Sequence, residues 1–397
     1  MMRVLVVDLL CNSPYYCAPF VRALRDEGVD AELASPAFYL EPRYLDDTPR
    51  PAWMANLAVH ARGPRALRLA CRTAEAPLNA TRLLSRVAAG TFDVVHVQWV
   101  PFEERSSLFM GLLRRRCDAT GTLLVRTVHN AVPHDWRGAN LAVIRRNLDL
   151  AHLLVAQTDH VAADLTQVIR TAAPIEVIPH GPLFVDRGLP DRAVAAARLG
   201  IKPSGPILLF LGLLRPYKGL DLLTDAWPLV RGALPEARLL VVGKCADRRV
   251  EADLDRLRRL PGVAVEERYV SVPVMVDYHA VCDAVVVPYR RISQSGALMT
   301  AVGLGRPTVL TPLEGLMEQV RGLEAAVVAS DVSGPALAAS IVTSLQHSDV
   351  LRRAAARDRD RIANAASGWR SVGRATGDAY ERGRQRLSVS PNGSRNG

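Results

Sequence analysis

Two sets of short, continuous apolar runs constrain this chain more than any other feature. The first set is "RVLVVDLL" from Arg3, "AELASP" from Ala31, "DVVHVQWV" from Asp93, "TLLVRTVHN" from Thr122, "LLVAQT" from Leu153 and "IEVIPHG" from Ile175. Segments with helical periodicity, such as "APFVRALRDEG" and "ADLTQVIRTA", separate several of them. A strand that is apolar at every position is buried on both faces, and the intervening helices supply the cover. The pattern therefore predicts a parallel, doubly wound α/β sheet. The rhythm restarts with "PILLFLGL", "ARLLVVG", "VAVEERYV", "DAVVVPY" and "PTVLTP". Between the sets lies "HGPLFVDRGLPDRAVAAARLGIKPSGP", rich in Gly, Pro and charge. The expected organisation is one α/β domain over 1–185, a linker over 186–205 and a second α/β domain over 206–365. An Arg-rich helix over 366–386, able to cross back to the first domain, and a disordered tail over 387–397 complete it. A chain of 397 residues is long enough for two such domains.

Ligands of doubly wound sheets gather at the carboxyl ends of the strands, near topological switch points. Strand-end turns are therefore where chemistry is sought. In "LLFLGLLRPYKGLDLLTDAW" an apolar run ends in a turn carrying Arg215 and Lys218 beside Gly219, and a helical pattern follows at once. Lys occurs only at 202, 218 and 244, so a lysine on this turn stands out. Free N–H groups and the positive dipole end of a helix, joined by two cations, suit a phosphate or diphosphate. The alternative is a solvated turn with two surface charges. A second strand end, "YRRISQSGALMTAVGLGRPTVLTP", leads through Ser293, Gln294, Ser295 and Gly296 into another helix, either as an anion-binding start or as an ordinary Ser cap. Two such starts in one domain favour a shared diphosphate. In the first domain, "VRTVHNAVPHD" places His129 and Asn130 at a strand end, with His134 on the same loop. "VIPHGP" places His180 and Gly181 ahead of the linker.

In order, "VIPHGP", "LGLLRPYKGLDLLTDAW", "DAVVVPY" and "SQSGALMTAVGLGRPTVLTPLEGLMEQV" resemble the retaining GT-B glycosyltransferases of the large family 4. The likeness covers the C-terminal half well and the N-terminal half loosely. It implies two Rossmann-like domains facing a cleft, the first an acceptor domain and the second a nucleotide-sugar donor domain. Arg215 and Lys218 would hold the donor diphosphate, with Gly212 on the same turn. The Ser295–Gly296 backbone would cap a phosphate, Glu318 would meet the ribose, and His129 would face the transferred sugar. His129, Arg215 and Lys218 are thus the catalytic candidates. Many members carry a glutamate pair eight residues apart, and here Ile292 and Thr300 stand at those positions; the sequence looks like a subgroup with a "QSG" turn instead. The loop after the first strand, "CNSPYYCAPF", lacks the glycines many members have. It offers Asn12, Tyr15 and Tyr16, together with Asn130, as acceptor-side candidates, with packing the alternative for the two tyrosines.

Composition narrows the partners. Hydrophobic residues make up 49% and charged residues 23%, a balance suited to large buried cores. The net charge of +10 favours anionic partners, while the 5% aromatic content and the lack of a base-stacking motif argue against nucleic acid. The six cysteines form no C-x-x-C, and "MMRVLVVDLL" is broken by Asp8 before it reaches the length of a signal-peptide core. A reducing cytoplasmic setting is expected. The segment from Ala61 to Gly90 carries Arg62, Arg65, Arg68, Arg72, Arg82 and Arg86 among apolar residues. It reads either as a solvated helix face or as a basic surface for peripheral contact with the inner face of a membrane. The D-x-D pairs Asp253/Asp255 and Asp358/Asp360 lie among arginines on helical stretches and read as ion-paired faces. No metal or other cofactor is expected, with a nucleotide-diphosphate sugar as co-substrate. The acceptor is a lipid, a saccharide or a small metabolite. A nucleotide-sugar 2-epimerase and a nucleotide-sugar binding protein without catalysis are the alternatives. A NAD-dependent oxidoreductase is disfavoured because the first strand lacks G-x-G-x-x-G.

Overall fold

The computed structural model describes residues 1–61, 65–101, 103–131, 140–202, 204–365 and 367–389. His134, Arg62 and the tail from 390 lie outside them, as do the side chains of Arg65, Arg68 and Arg72. The chain divides into two compact units. Unit 1 comprises Met1–Gly181 with the chain from 366 onward, and unit 2 comprises Pro182–Ala365.

Unit 1 is built on a six-stranded sheet of β1 (Arg3–Val7), β2 (Asp30–Ala34), β3 (Val94–Val97), β4 (Leu123–Val128), β5 (Leu153–Ala156) and β6 (Ile175–Val177). All pairings are parallel, in the order β2-β1-β3-β4-β5-β6. Val7 stands in register with Val97, and Val97 with Arg126. The four central strands are fully buried along their apolar runs, apart from the exposed Arg3, as continuous hydrophobic strands require. One face packs Leu5, Val7, Val95, Val97 and Leu124 against Leu83, Met110 and Leu113. The other face carries His96, which hydrogen-bonds Tyr380 and Thr127.

Tyr380 belongs to the last helix, Trp369–Val389, which packs on the first helix, Pro14–Asp26. The crossing is close at Gly373, where an added Cβ would lie 2.4 Å from the Ala23 carbonyl oxygen. Arg370 and Arg374 pair with Glu27, and Arg382 with Glu176. The last helix runs through Leu387, Ser388 and Val389, so the first three residues expected in a disordered tail are helical.

Unit 2 repeats the plan with β7 (Ile207–Leu211), β8 (Arg238–Val242), β9 (Val263–Glu266), β10 (Ala284–Val287), β11 (Thr308–Leu310) and β12 (Ala326–Val328). The order is β12-β11-β10-β7-β8-β9, again all parallel. The connections turn one way after β7 and the other way into β10, so the switch point lies between these two strands. In unit 1 the equivalent point lies between β1 and β3. Both sheets therefore have a defined crevice at their carboxyl edge, and the sequence candidates stand on those edges.

Candidate functional site

In unit 2 the chain leaves β7 at Gly212, whose φ of +147° suits only glycine. An added Cβ there would sit 3.0 Å from Lys218 Nζ, so the ammonium lies folded over the Gly212 backbone. Arg215 and Lys218 bracket a short turn, Pro216–Lys218, that ends at Gly219 with φ +70°. Gly219 also has no room for a side chain: a Cβ would strike the Pro288 carbonyl oxygen at 1.8 Å. The helix Leu220–Ala233 starts immediately after it. The two cations thus stand at a helix start, at the carboxyl end of one switch-point strand.

The other switch-point strand reaches the same turn through Tyr289. Lys218 Nζ donates to the Tyr289 hydroxyl at 3.1 Å and lies 5.0 Å from the ring centroid. Burial works against the ammonium charge, but the Tyr289 and Tyr217 phenols more than offset it. The Lys218 pKa is held above the ordinary lysine value, and the group is cationic at neutral pH. Arg215 is half-buried, and its Nε is buried with no hydrogen-bond partner among the described residues.

After β10 the helix Gly296–Gly303 begins with Ser295 as its cap, the Oγ accepting from Leu298 N at 3.1 Å. The Ser295 N–H donates to Gln319 Oε1 at 2.7 Å. The expectation that the Ser295–Gly296 backbone caps a phosphate therefore narrows to Gly296 and the amide after it. At Gly296 a Cβ would meet only Leu183, at 3.8 Å, so the protein's own packing does not demand glycine there. Glu318 and Gln319 sit on the short helix Glu314–Gln319, both half-buried. Gln319, a clamp on the Ser295 turn, carried no recognisable sequence signal.

In unit 1, Asp8 follows β1 and is fully buried. Its Oδ2 accepts from the Ser13 N–H at 2.9 Å and from the Ser13 hydroxyl at 3.3 Å. Burial raises its carboxyl pKa, partly offset by N–H groups of the loop it ties down. Across the switch point, Gln98 is also buried, and Trp99 Nε1 donates to Ser13 Oγ at 3.0 Å. The Trp99 ring stacks on the His129 imidazole at 4.9 Å and 9°. His129 sits just beyond β4, 7% exposed, with Nδ1 bonded to Gln157 Oε1 at 2.9 Å. Burial, then nearby His180, brings the His129 pKa down to about 3, so the ring is neutral at physiological pH. His180, buried, is lowered to about 4.

The acceptor-side candidates separate. Tyr16 is buried and packs on His129, His180 and Trp369. Tyr15 donates to Glu41 at 2.7 Å and meets Phe38 and Tyr44 edge-on. Asn12 is exposed and Asn130 half-buried. His129 and Tyr16 come together, whereas Tyr15 points into a different cluster. Sequence reasoning missed Trp99 and Gln157, although Gln157 directly follows β5 and Trp99 lies two residues beyond β3.

Three of the four D-x-D residues are held in ion pairs. Asp253 and Asp255 pair with Arg256 and Arg258, and buried Asp358 accepts from Ala325 N and pairs with Arg361. Among the described residues there is no cluster of three or more His, Cys, Asp or Glu side chains able to hold a metal, and no helix long and apolar enough to cross a membrane.

Residues 15–181 match the family model described as glycosyltransferase family 4, and residues 205–347 match that described as glycosyl transferases group 1. A GDP-mannose:glycolipid 4-beta-D-mannosyltransferase of Xanthomonas campestris pv. campestris is 32% identical over 252 residues, covering 58% of this chain and 62% of that protein. A D-inositol 3-phosphate glycosyltransferase of Segniliparus rotundus is 33% identical over 184 residues, covering 43% of this chain and 40% of that protein. The matches thus span less than two thirds of these relatives' lengths. Among solved structures, the sucrose-phosphate synthase of Thermosynechococcus elongatus aligns with a TM-score of 0.72 at 18% identity, over 98% of this chain and 100% of that one. Anabaena HepE in complex with UDP-glucose aligns with a TM-score of 0.69 at 14% identity, over 96% and 100%. The structural likenesses speak for the fold and the two family models for descent: the chain belongs to the glycosyltransferases of GT-B fold.

Proposed function

We propose that the protein moves a sugar from a nucleotide-diphosphate sugar to an acceptor hydroxyl. The observation that carries this reading is the turn after β7. It holds a buried, charged Lys218 over the Gly212 backbone and Arg215 beside a helix start, at the switch point of unit 2. Such a turn can neutralise a leaving diphosphate without a metal, because preorganised cations and amide dipoles act where the charge develops. Arg215, Lys218 and the Gly296 amide bind the diphosphate in this reading, and Glu318 bonds the ribose. In the retaining form of the reaction, the sugar–phosphate bond breaks first, giving an oxocarbenium-like sugar. The acceptor hydroxyl attacks from the same face and passes its proton to a donor phosphate oxygen. His129 then orients the sugar.

One relative favours a second stereochemical reading. The Xanthomonas protein is named for a 4-β-mannosyl product. An α-linked donor giving a β product requires inversion, which needs a protein group to take the acceptor proton. A neutral His129 is of the right type for that role. The anomeric configuration of the product, read by proton NMR, separates the two forms. The same name supports a glycolipid among the acceptor classes. Peripheral membrane contact by the basic helix Arg65–Ala88 would suit such an acceptor, and co-flotation with anionic vesicles at low salt tests it.

Thermal shifts with UDP, GDP, ADP and dTDP, each with a chelator present, test the core of the reading. A ligand at 100 times its dissociation constant adds about 2.7 kcal/mol, enough to raise the melting midpoint by several degrees. A shift with one nucleotide, lost in Arg215→Ala, supports a metal-free diphosphate site. No shift with any of the four removes that support and moves the alternatives ahead.

A further inference from the structure

The polar chain around His129 carries an inference of its own. Gln157 follows β5 directly and is 3% exposed. Its Oε1 lies 2.9 Å from His129 Nδ1. A carboxamide oxygen only accepts, so His129 Nδ1 must carry the proton, and the lone pair falls on Nε2. The ring cannot swing away from this bond. Trp99 stacks flat on it, Tyr16 meets it edge-on at 5.4 Å, and Trp99 is itself tied to Ser13.

We infer that Gln157 is a positioning residue that fixes His129 as the neutral Nδ1–H tautomer, with Nε2 as its proton-accepting nitrogen. An amide at position 157 holds the ring without charging it, whereas a carboxylate would draw a second proton onto the imidazole. Among the described residues, titratable or charged groups around the ring include His180, His96, Arg126 and Tyr16. Among these described groups none is an anion at neutral pH, so an amide rather than a carboxylate at 157 keeps His129 from gaining an adjacent negative charge on this side. Either stereochemical form proposed above uses this state. A sugar hydroxyl donates to Nε2 in the retaining form, and the acceptor hydroxyl passes its proton there in the inverting form. That use rests on the glycosyltransferase reading; the tautomer does not.

The test is imidazole 15N NMR of the full chain, without ligand, for wild type, Gln157→Leu and Gln157→Glu. Wild type should show protonated Nδ1 and bare Nε2 across pH 5 to 8. Gln157→Leu should give a tautomer mixture. Gln157→Glu should keep Nδ1–H, because the acceptor survives, while raising the His129 titration midpoint by about one unit or more. Should Gln157→Leu fail to fold, the midpoint in Gln157→Glu decides alone. A wild-type Nε2–H tautomer, or a midpoint unmoved by the carboxylate, overturns the inference. GDP release from GDP-mannose separates this result from the broader reading. If the wild type turns over, the acid limb of kcat should move to higher pH in Gln157→Glu, and kcat should fall about 10-fold or more in Gln157→Leu. If no nucleotide binds or turns over, the glycosyltransferase reading falls, and the spectra still decide the role of Gln157.

Discussion

Lys218 and Gly212 form one device: the glycine leaves the space that the ammonium fills. Two substitutions separate its parts. Lys218→Ala removes the charge and should lower turnover by about 100-fold or more, the scale of one preorganised electrostatic contact. Gly212→Ala keeps the charge but puts a methyl 3.0 Å from where Nζ now sits, at a φ that side chains rarely adopt. It should cost about 1–3 kcal/mol of stability and much of the turnover, because the ammonium must move. Steady-state kinetics beside urea unfolding check both. Near-normal turnover in Lys218→Ala would sink the diphosphate assignment. Arg215 and Lys218 were legible because cations after an apolar run, before a helical pattern, have few uses. Trp99 and Gln157 were not. A Trp or Gln after a strand is ordinary, and only the fold brings their rings and amides beside His129 from separate strands.

At the scale of elements, the strands were readable because parallel strands covered on both faces write themselves as unbroken apolar runs. The ties between elements were not, because they join residues far apart in sequence. Asp283, just ahead of β10, is the clearest case. Its buried carboxylate accepts two bonds from Arg192 at 2.7 and 3.0 Å, one from Arg352 at 3.2 Å and one from Ile207 N at 2.8 Å. It thereby holds the helices Arg192–Leu199 and Ser348–Asn364 to the start of β7. In the sequence Asp283 is one acid among many. Asp283→Ala leaves the Arg192 guanidinium and a strand-end N–H without their acceptor, and Arg352 with Asp349 alone, and should destabilise unit 2 by about 3 kcal/mol. Denaturant unfolding measures this, and a loss below about 0.5 kcal/mol would mean that the arginines find other partners.

Over the whole molecule, the two units differ in what acid does to them. His96, His129 and His180 are buried in unit 1 with pKa values lowered to about 3, 3 and 4, burial being the main cause each time. Unit 2 has one such residue, His279, at about 4. A lowered histidine pKa means the unfolded chain takes up protons first. Stability is therefore full above about pH 6.5 and falls as the pH drops toward the folded-state values. Each such histidine costs about 1.4 kcal/mol per pH unit, so the three together cost unit 1 about 4 kcal/mol per unit below pH 6.5, partly offset at lower pH by buried Asp8, whose pKa is raised, and unit 2 loses less. Calorimetry at pH 7.5 and 5.5 should show one transition moving far down in temperature and the other moving little. Equal shifts would contradict the buried, neutral state of the three histidines.

The same asymmetry of construction appears in the chain path, because unit 1 is finished only after unit 2 has been made. The last helix supplies Val372, Thr376, Ala379 and Tyr380 to the interior of unit 1 and a hydroxyl partner to His96, all at or near zero exposure. A chain stopped after residue 365 leaves His96 Nδ1 without the Tyr380 hydroxyl and uncovers the helix Pro14–Asp26 along the line where Gly373 now approaches Ala23. Burying one large side chain is worth about 2–3 kcal/mol, and a domain's whole stability is of the order of 5–15 kcal/mol, so losing this helix should abolish the cooperative transition of unit 1. Unit 2 keeps every strand, its switch-point turn and the Asp283 tie, and should retain its own transition. Truncation after 365 should therefore give a chain with one cooperative melt, bound 8-anilinonaphthalene-1-sulfonate fluorescence from the exposed face of unit 1, and a nucleotide-dependent shift confined to the surviving transition. Two intact transitions would show that the return of the chain is dispensable to unit 1. Loss of both would show that the helix also holds up unit 2, against the division of the chain into two separate cores.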